Sequence, residues 1–276
     1  MKSKNRALFA VLTFVLPYFF TACGNRGSEP AAIRADEPTA AGTQTPPPPT
    51  PVFDTPAPTL DLNSLTPPSI IKSIGFEIGE MDPVSGRAGD VLLVGVEPAL
   101  GKIIYDYGEV ITNTSSGEPT VNLQVTFYLP LGTKVRSLID GVVVDIPVLW
   151  SGDNSVIVVP EGGEGLARRW ETEHVINPIV KVGDHVVAGQ VLAEVSNYDS
   201  HNSPALGIVE IGLLEGGNPP RHLCPFLYLD PSEKAQIESW VVDLRTAWEQ
   251  TQGDSSLYDE SAYVTPGCKI SDPIEG

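Results

Sequence analysis

Few residues in this chain could carry acid–base or metal chemistry. There are four histidines, His174, His185, His201 and His222, and three cysteines, Cys23, Cys224 and Cys268. An imidazole can ligate a metal or move a proton near neutral pH, and a thiolate can act as a nucleophile. His185 follows Gly183-Asp184 at a corner and reads as solvent-exposed. His201 lies in the polar loop "SNYDSHNSP", and His222 precedes Cys224 in "PRHLCPF". A cation site can be drawn from Asp199, His201 and Glu210, but no spacing demands it. A serine nucleophile would sit in a Gly-x-Ser-x-Gly elbow, which the sequence lacks. "PEGGEGLARRW" is acidic ahead of its arginines and reads as a hairpin loop, not a phosphate cradle. The remaining candidate is His174 in "WETEHVINP". Its context alone describes a hydrogen-bonded strand histidine.

The cysteines divide by position. Lys2, Lys4 and Arg6 precede an apolar run, Ala7 to Phe20, too short to span a bilayer and of signal-peptide length. The run ends in "FFTACG", which resembles the lipobox of bacterial lipoproteins. Cleavage there leaves residues 1–22 as a signal peptide and Cys23 as the lipidated residue, a membrane anchor. Residues 23–68 are rich in Pro, Thr and Ala and form a solvated tether, because so little apolar area cannot offset the entropy of ordering. Cys224 and Cys268 remain, and in an oxidising compartment such a pair forms a disulfide. Apart from His222 near Cys224, neither has the setting of an activated thiol.

The formal charge is −18, and removing the signal peptide's three cations makes it more negative. That balance argues against nucleic acid and anionic surfaces as direct partners; it suits a neutral or cationic ligand and equally serves solubility alone.

Residues 69–276 must supply the elements that position any site. "VNLQVTFYL" alternates, with Val121, Leu123, Val125, Phe127 and Leu129 on one face. "GVVVDI" (141–146), "SVIVV" (155–159) and "GIVEIGLL" (207–214) read as further strands. Glycine and proline corners between them favour a mostly β fold, a sandwich or barrel. "DPSEKAQIESWVVDLRTAWEQ" predicts one amphipathic helix over about 231–250, with Asp230 as N-cap, Pro231 at the first helical position and Ile237, Trp240, Val241, Leu244 and Trp248 on one face.

Three segments, in order, carry a resemblance. "LPLGTKVRSLIDGVVVDI" has a Gly-Thr-x-Val corner and an Asp-Gly turn. "EHVINPIVKVGDHVVAGQVLAEV" has a histidine strand followed by a Val-Gly-Asp hairpin. "GIVEIGLL" contains Val209-Glu210-Ile211. Together they resemble the lysostaphin-type, LytM-like zinc endopeptidase domain. The resemblance implies a hybrid-motif β barrel or sandwich and a zinc ion held by two His and one Asp. It implies that His174 assists the transition state, with Thr172 where Tyr is common. Its metal-bearing motifs fall on Leu123 and Thr126 and on Leu206 and Ile208, and none of these side chains is a zinc ligand. The expected cofactor is therefore none, and the expected protein is a non-catalytic envelope lipoprotein that binds peptidoglycan or another envelope protein. Two alternatives stand beside it. One is a metallopeptidase or wall hydrolase with a non-standard site. The other is an adaptor or lipoyl-type carrier, for which Lys181, inside the strand before the turn, is misplaced.

Overall fold

The β-branched runs pair into antiparallel ladders whose connections fall at glycine corners. A computed structural model describes residues 61–98, 101–112, 117–198, 203 and 205–276. The signal peptide, Cys23, most of the tether, Asp199 and His201 lie outside the described residues. The strands used below are β1 (Val125–Pro130), β2 (Lys134–Arg136), β3 (Gly141–Asp145), β4 (Asn154–Val159), β5 (Arg168–Ile176), β6 (His185–Val186), β7 (Val191–Val195), β8 (Leu206–Glu215) and β9 (Arg221–Leu223). They belong to an eleven-stranded antiparallel sheet whose main path runs β6-β3-β4-β5-β8-β9. On the far side of β8 lies β1, which in turn pairs with Ile104–Tyr105. The sheet branches at β7, which pairs with both β5 and β2.

Three of the predicted strands form with their ends shifted by a residue or two. The first predicted strand differs more. Regular pairing covers Thr120–Val121 and then Val125–Pro130, and Val125 to Leu129 are buried on both faces. Alternation in the sequence suggested one wet face, yet Thr126 and Tyr128 are covered by neighbouring layers. The segment read as a valine-rich hairpin also resolves differently. Its two corners are turns closed by Asp184 N–H to Lys181 O and Gln190 N–H to Val187 O. Gly183 (φ 91°) and Gly189 (φ 79°) take the third turn position, which needs a positive φ. The flanking strands do not pair with each other, since β6 joins β3 while β7 joins β2 and β5. Lys181 begins the first turn instead of lying in a strand, and its amine is tied to Asp184.

The one α-helix among the described residues, α1, spans Lys234–Gln252 and stops at Gly253 in the left-handed conformation. It begins later than predicted because the Asp230 carboxylate accepts from Ser232 N–H and Oγ, holding residues 230–233 as a turn. Ile237, Val241, Leu244 and Trp248 are buried as the helical period requires, whereas Trp240 is half-buried. Trp248 Nε1 donates to Gly101 O at 3.0 Å, which satisfies its one polar atom inside the core. The core joins α1 to β1, β5 and β8 through Phe127, Leu129, Trp170, Val209, Ile211 and Leu213. Arg168 donates to Leu65 O and Thr66 O, so chain ahead of Ser69 already touches the sheet. Cys224 and Cys268 are joined in a disulfide.

Candidate binding cleft

His174 sits where β5 changes partners. Arg168 to Glu173 pair with β8, and Val175 and Ile176 pair with β7. Against β4 the register slips by one, with Val156 opposite Thr172 but Asn154 opposite Val175. The extra residue is a β-bulge, and His174 within it has φ 58°. A bulge re-aims side chains. Here it lets Glu173 and His174, neighbours that a flat strand would send to opposite faces, serve one site.

The imidazole is held on three sides. Its Nδ1 lies 3.0 Å from Asp153 Oδ2, and Ser196 Oγ donates to the same oxygen at 2.5 Å. Ser151 donates to Asp153 as well. Tyr198 stacks on the ring at 4.0 Å with 5° between planes, and Trp150 meets Tyr198 edge-on at 5.6 Å. Because an ionised carboxylate only accepts, the Asp153 contact puts the imidazole proton on Nδ1 and leaves a lone pair on Nε2. That Nε2 is 3.8 Å from Glu210 Oε2.

Glu210 is directly opposite Thr126 on one side and Glu173 on the other. Thr126 Oγ1 donates to Glu210 Oε1 at 3.1 Å. One step along the sheet, Glu171 accepts from Ser155 Oγ at 2.6 Å and from Gln124 Nε2 at 3.3 Å. Gln124 lies over Gly212, where an added Cβ would come within 3.1 Å of its amide group. Burial, reinforced by Glu171 and Glu210, pushes the Glu173 carboxyl up to about 10. Burial likewise raises Glu171, and it lowers His222. At neutral pH, with no cation in the cleft, Glu173 is therefore protonated.

This arrangement has a measurable pH signature. A carboxyl raised in the folded state favours folding most at low pH, and stability is lost as pH rises from the ordinary carboxylate range toward 10. Glu173→Gln removes the titration. In chelator-treated buffer its melting temperature is expected to gain on the parent steadily between pH 5 and pH 9. A difference constant with pH would show that Glu173 does not carry this proton.

The cleft over these groups encloses about 510 Å³ and is lined by Asn122, Leu123, Gln124, Trp150, Glu173, His174, Tyr198, Glu210 and His222, among others. Its lining contains no Lys or Arg. Of the positions named from sequence, Leu123 and His174 share this cleft, and Thr126 reaches it through Glu210. Leu206 lines a different cavity with Leu93 and Val96, and Ile208 is buried in the core. His185 is exposed, whereas His222 is buried and joins the cleft from β9. Sequence reasoning set His222 aside and missed Asp153, Glu171, Glu173, Trp150 and Tyr198. The alternation of Glu171 and Glu173 along a strand was the available signal. The zinc that the resemblance implies does not fit its expected positions: Leu123, Leu206 and Ile208 offer no donor, and the Thr126 hydroxyl is committed to Glu210.

No family model matches the chain. A subunit of the A-type ATP synthase of Methanocorpusculum labreanum is 29% identical over 137 residues, covering 46% of this chain and 23% of that protein. The chain thus spans less than a quarter of the length of that curated relative. Among solved structures, the chain is similar to the catalytic domain of the antimicrobial peptidase lysostaphin from Staphylococcus simulans, with 24% identity and TM-score 0.33 over 41% of this chain and 79% of that one. It is similar to the catalytic domain of the prophage-encoded protein EnpA from Enterococcus faecalis, with 20% identity and TM-score 0.34 over 47% and 94%. It is also similar to Helicobacter pylori Csd3, with 13% identity and TM-score 0.34 over 66% and 47%.

Proposed function

We propose that this chain is an extracytoplasmic lipoprotein whose lysostaphin-like domain binds peptidoglycan without cleaving it. The observation that carries this reading is a cleft built around His174 and Glu210 that holds Leu123 at one expected zinc position, while Leu206 and Ile208, at two others, lie outside it and carry no donor. The lining supports the kind of ligand. Carboxylates on the floor and no cationic side chain favour amines and hydroxyls. Trp150, 86% exposed at the rim, offers a flat apolar face to a sugar ring or peptide. The lipobox-like "FFTACG" and the tether would place the domain beyond a membrane surface, and no helix of the described residues is long and apolar enough to cross one.

The test is cosedimentation of the protein with purified sacculi, with soluble fragments measured in the same tubes. Binding without fragment release is expected. Trp150→Ala should weaken it about tenfold, the loss of roughly 1.4 kcal/mol from about 60 Å² of covered ring. Release of muropeptides would replace this reading with that of a hydrolase, and failure to sediment would leave an envelope protein as the partner to seek. The hydrolase reading has one observation of its own, the Asp153-held imidazole facing Glu210. It requires His174→Ala to abolish the release. The carrier reading loses ground, because Lys181 starts a turn with its amine bound to Asp184.

A further inference from the structure

We propose that Glu173, His174 Nε2 and Glu210 bind a divalent transition-metal cation at the floor of the cleft, in a site built from residues other than those where the resemblance places zinc ligands. One donor atom from each of the three residues lies within 4.8 Å of the other two. His174 Nε2 and Glu210 Oε2 face each other at 3.8 Å. That is too long for a direct hydrogen bond. It suits two ligands flanking one ion, since donors each ~2.1 Å from a shared metal lie ~3–4 Å apart.

The surroundings are those of a ligand set already oriented. Metal-bound histidines typically donate their second ring N–H to a carboxylate, which fixes the tautomer and turns the lone pair toward the ion. Asp153 does this for His174 and is itself held by Ser151 and Ser196. Thr126 fixes Glu210 from the other side. The bulge at His174 spends backbone strain on bringing two successive side chains to one point. A second observation is independent of the carboxylates. Gln124 Oε1 and His222 Nδ1 have no hydrogen-bond partner among the described residues, both side chains are more than nine-tenths buried, and both line this cleft. Such atoms are costly unless water or a ligand satisfies them. Glu173 and Glu210 line the floor with no Lys or Arg beside them, so no fixed positive charge competes with a cation there. One imidazole and two carboxylates are borderline ligands, suited to zinc or manganese over calcium.

This inference is independent of wall binding, because ion uptake needs no polymer. The experiment strips the full chain with chelator and titrates it calorimetrically with zinc chloride and, separately, with manganese chloride. One ion per chain is expected. Glu210→Gln and His174→Ala should abolish uptake, and Asp153→Asn should weaken it at least about tenfold by releasing the imidazole. His185→Ala, at an exposed histidine, should bind as the parent does. Circular dichroism on every variant separates loss of ligand from loss of fold, and Glu210→Gln conserves size. Absence of stoichiometric binding to the folded parent would overturn the proposal. So would uptake by folded Glu210→Gln equal to the parent's. In either event sacculus binding would stand or fall on its own result.

Discussion

Arg245→Ala is expected to destabilise the folded chain by about 3–5 kcal/mol, the usual cost of leaving one member of a buried ion pair alone. Arg245 on α1 is 1% exposed and its partner Asp106 is fully buried. Burial raises the Asp106 carboxyl and Arg245 opposes that rise. The guanidinium also lies 4.1 Å over the Tyr263 ring and reaches Glu260 at 3.3 Å. Removing it strands a carboxylate among aromatic rings where water cannot solvate it. Asp106 directly follows the Ile104–Tyr105 strand, which pairs with β1, so the damage reaches the element that carries Thr126. Urea denaturation at pH 7 with the disulfide intact measures the effect. Combining Arg245→Ala with Asp106→Asn should recover part of the loss, because the stranded charge is gone. A cost under ~1 kcal/mol, typical of exposed pairs, would show that the pair is solvated.

Loss of the Cys224–Cys268 disulfide is expected to cost about 4 kcal/mol, because a link across 44 residues restricts the unfolded chain. The folded state keeps other ties between the same regions. Tyr107 Oη donates to His222 O and to Asp272 O, and Tyr107 N–H and C=O engage Gly267 and Lys269. The native structure should therefore survive in the Cys224→Ala, Cys268→Ala variant, with the loss appearing as a lower denaturation midpoint. Unchanged stability would mean that the unfolded chain is already compact in this region. Loss of native circular dichroism without denaturant would mean that the tail depends on the bond itself.

How much of this was legible beforehand depends on the range of the interaction. The strands around Val142, Val158 and Ile211 were visible because β-branched runs between glycine corners are local signals. Helix α1 was visible from its period, although its start was not, since the side chain of Asp230 chose a turn over a cap. The cysteine pair followed from counting thiols. The valine-rich hairpin was misread because a corner specifies a reversal of the chain, whereas pairing depends on which third strand is nearest.

The cleft was mostly illegible, and particular residues show why. Glu173 and His174 are consecutive, so strand alternation sends them apart, and only a bulge against β4 brings them together. Glu210 becomes a neighbour of Thr126 and Glu173 through the register of β8 with β1 and β5, which no segment encodes alone. Nothing local marks Asp153 and Ser196, which the sheet's branch at β7 closes around the imidazole. By itself, then, the sequence determined a mostly β chain with one terminal helix, an oxidised cysteine pair and side chains without zinc-binding capacity at the expected positions, since composition and local period suffice for these. Tertiary structure alone decided that Asp153, Glu173, His174, Glu210 and His222 meet, because cross-strand register and one extra residue in a strand set distances that sequence separation does not contain.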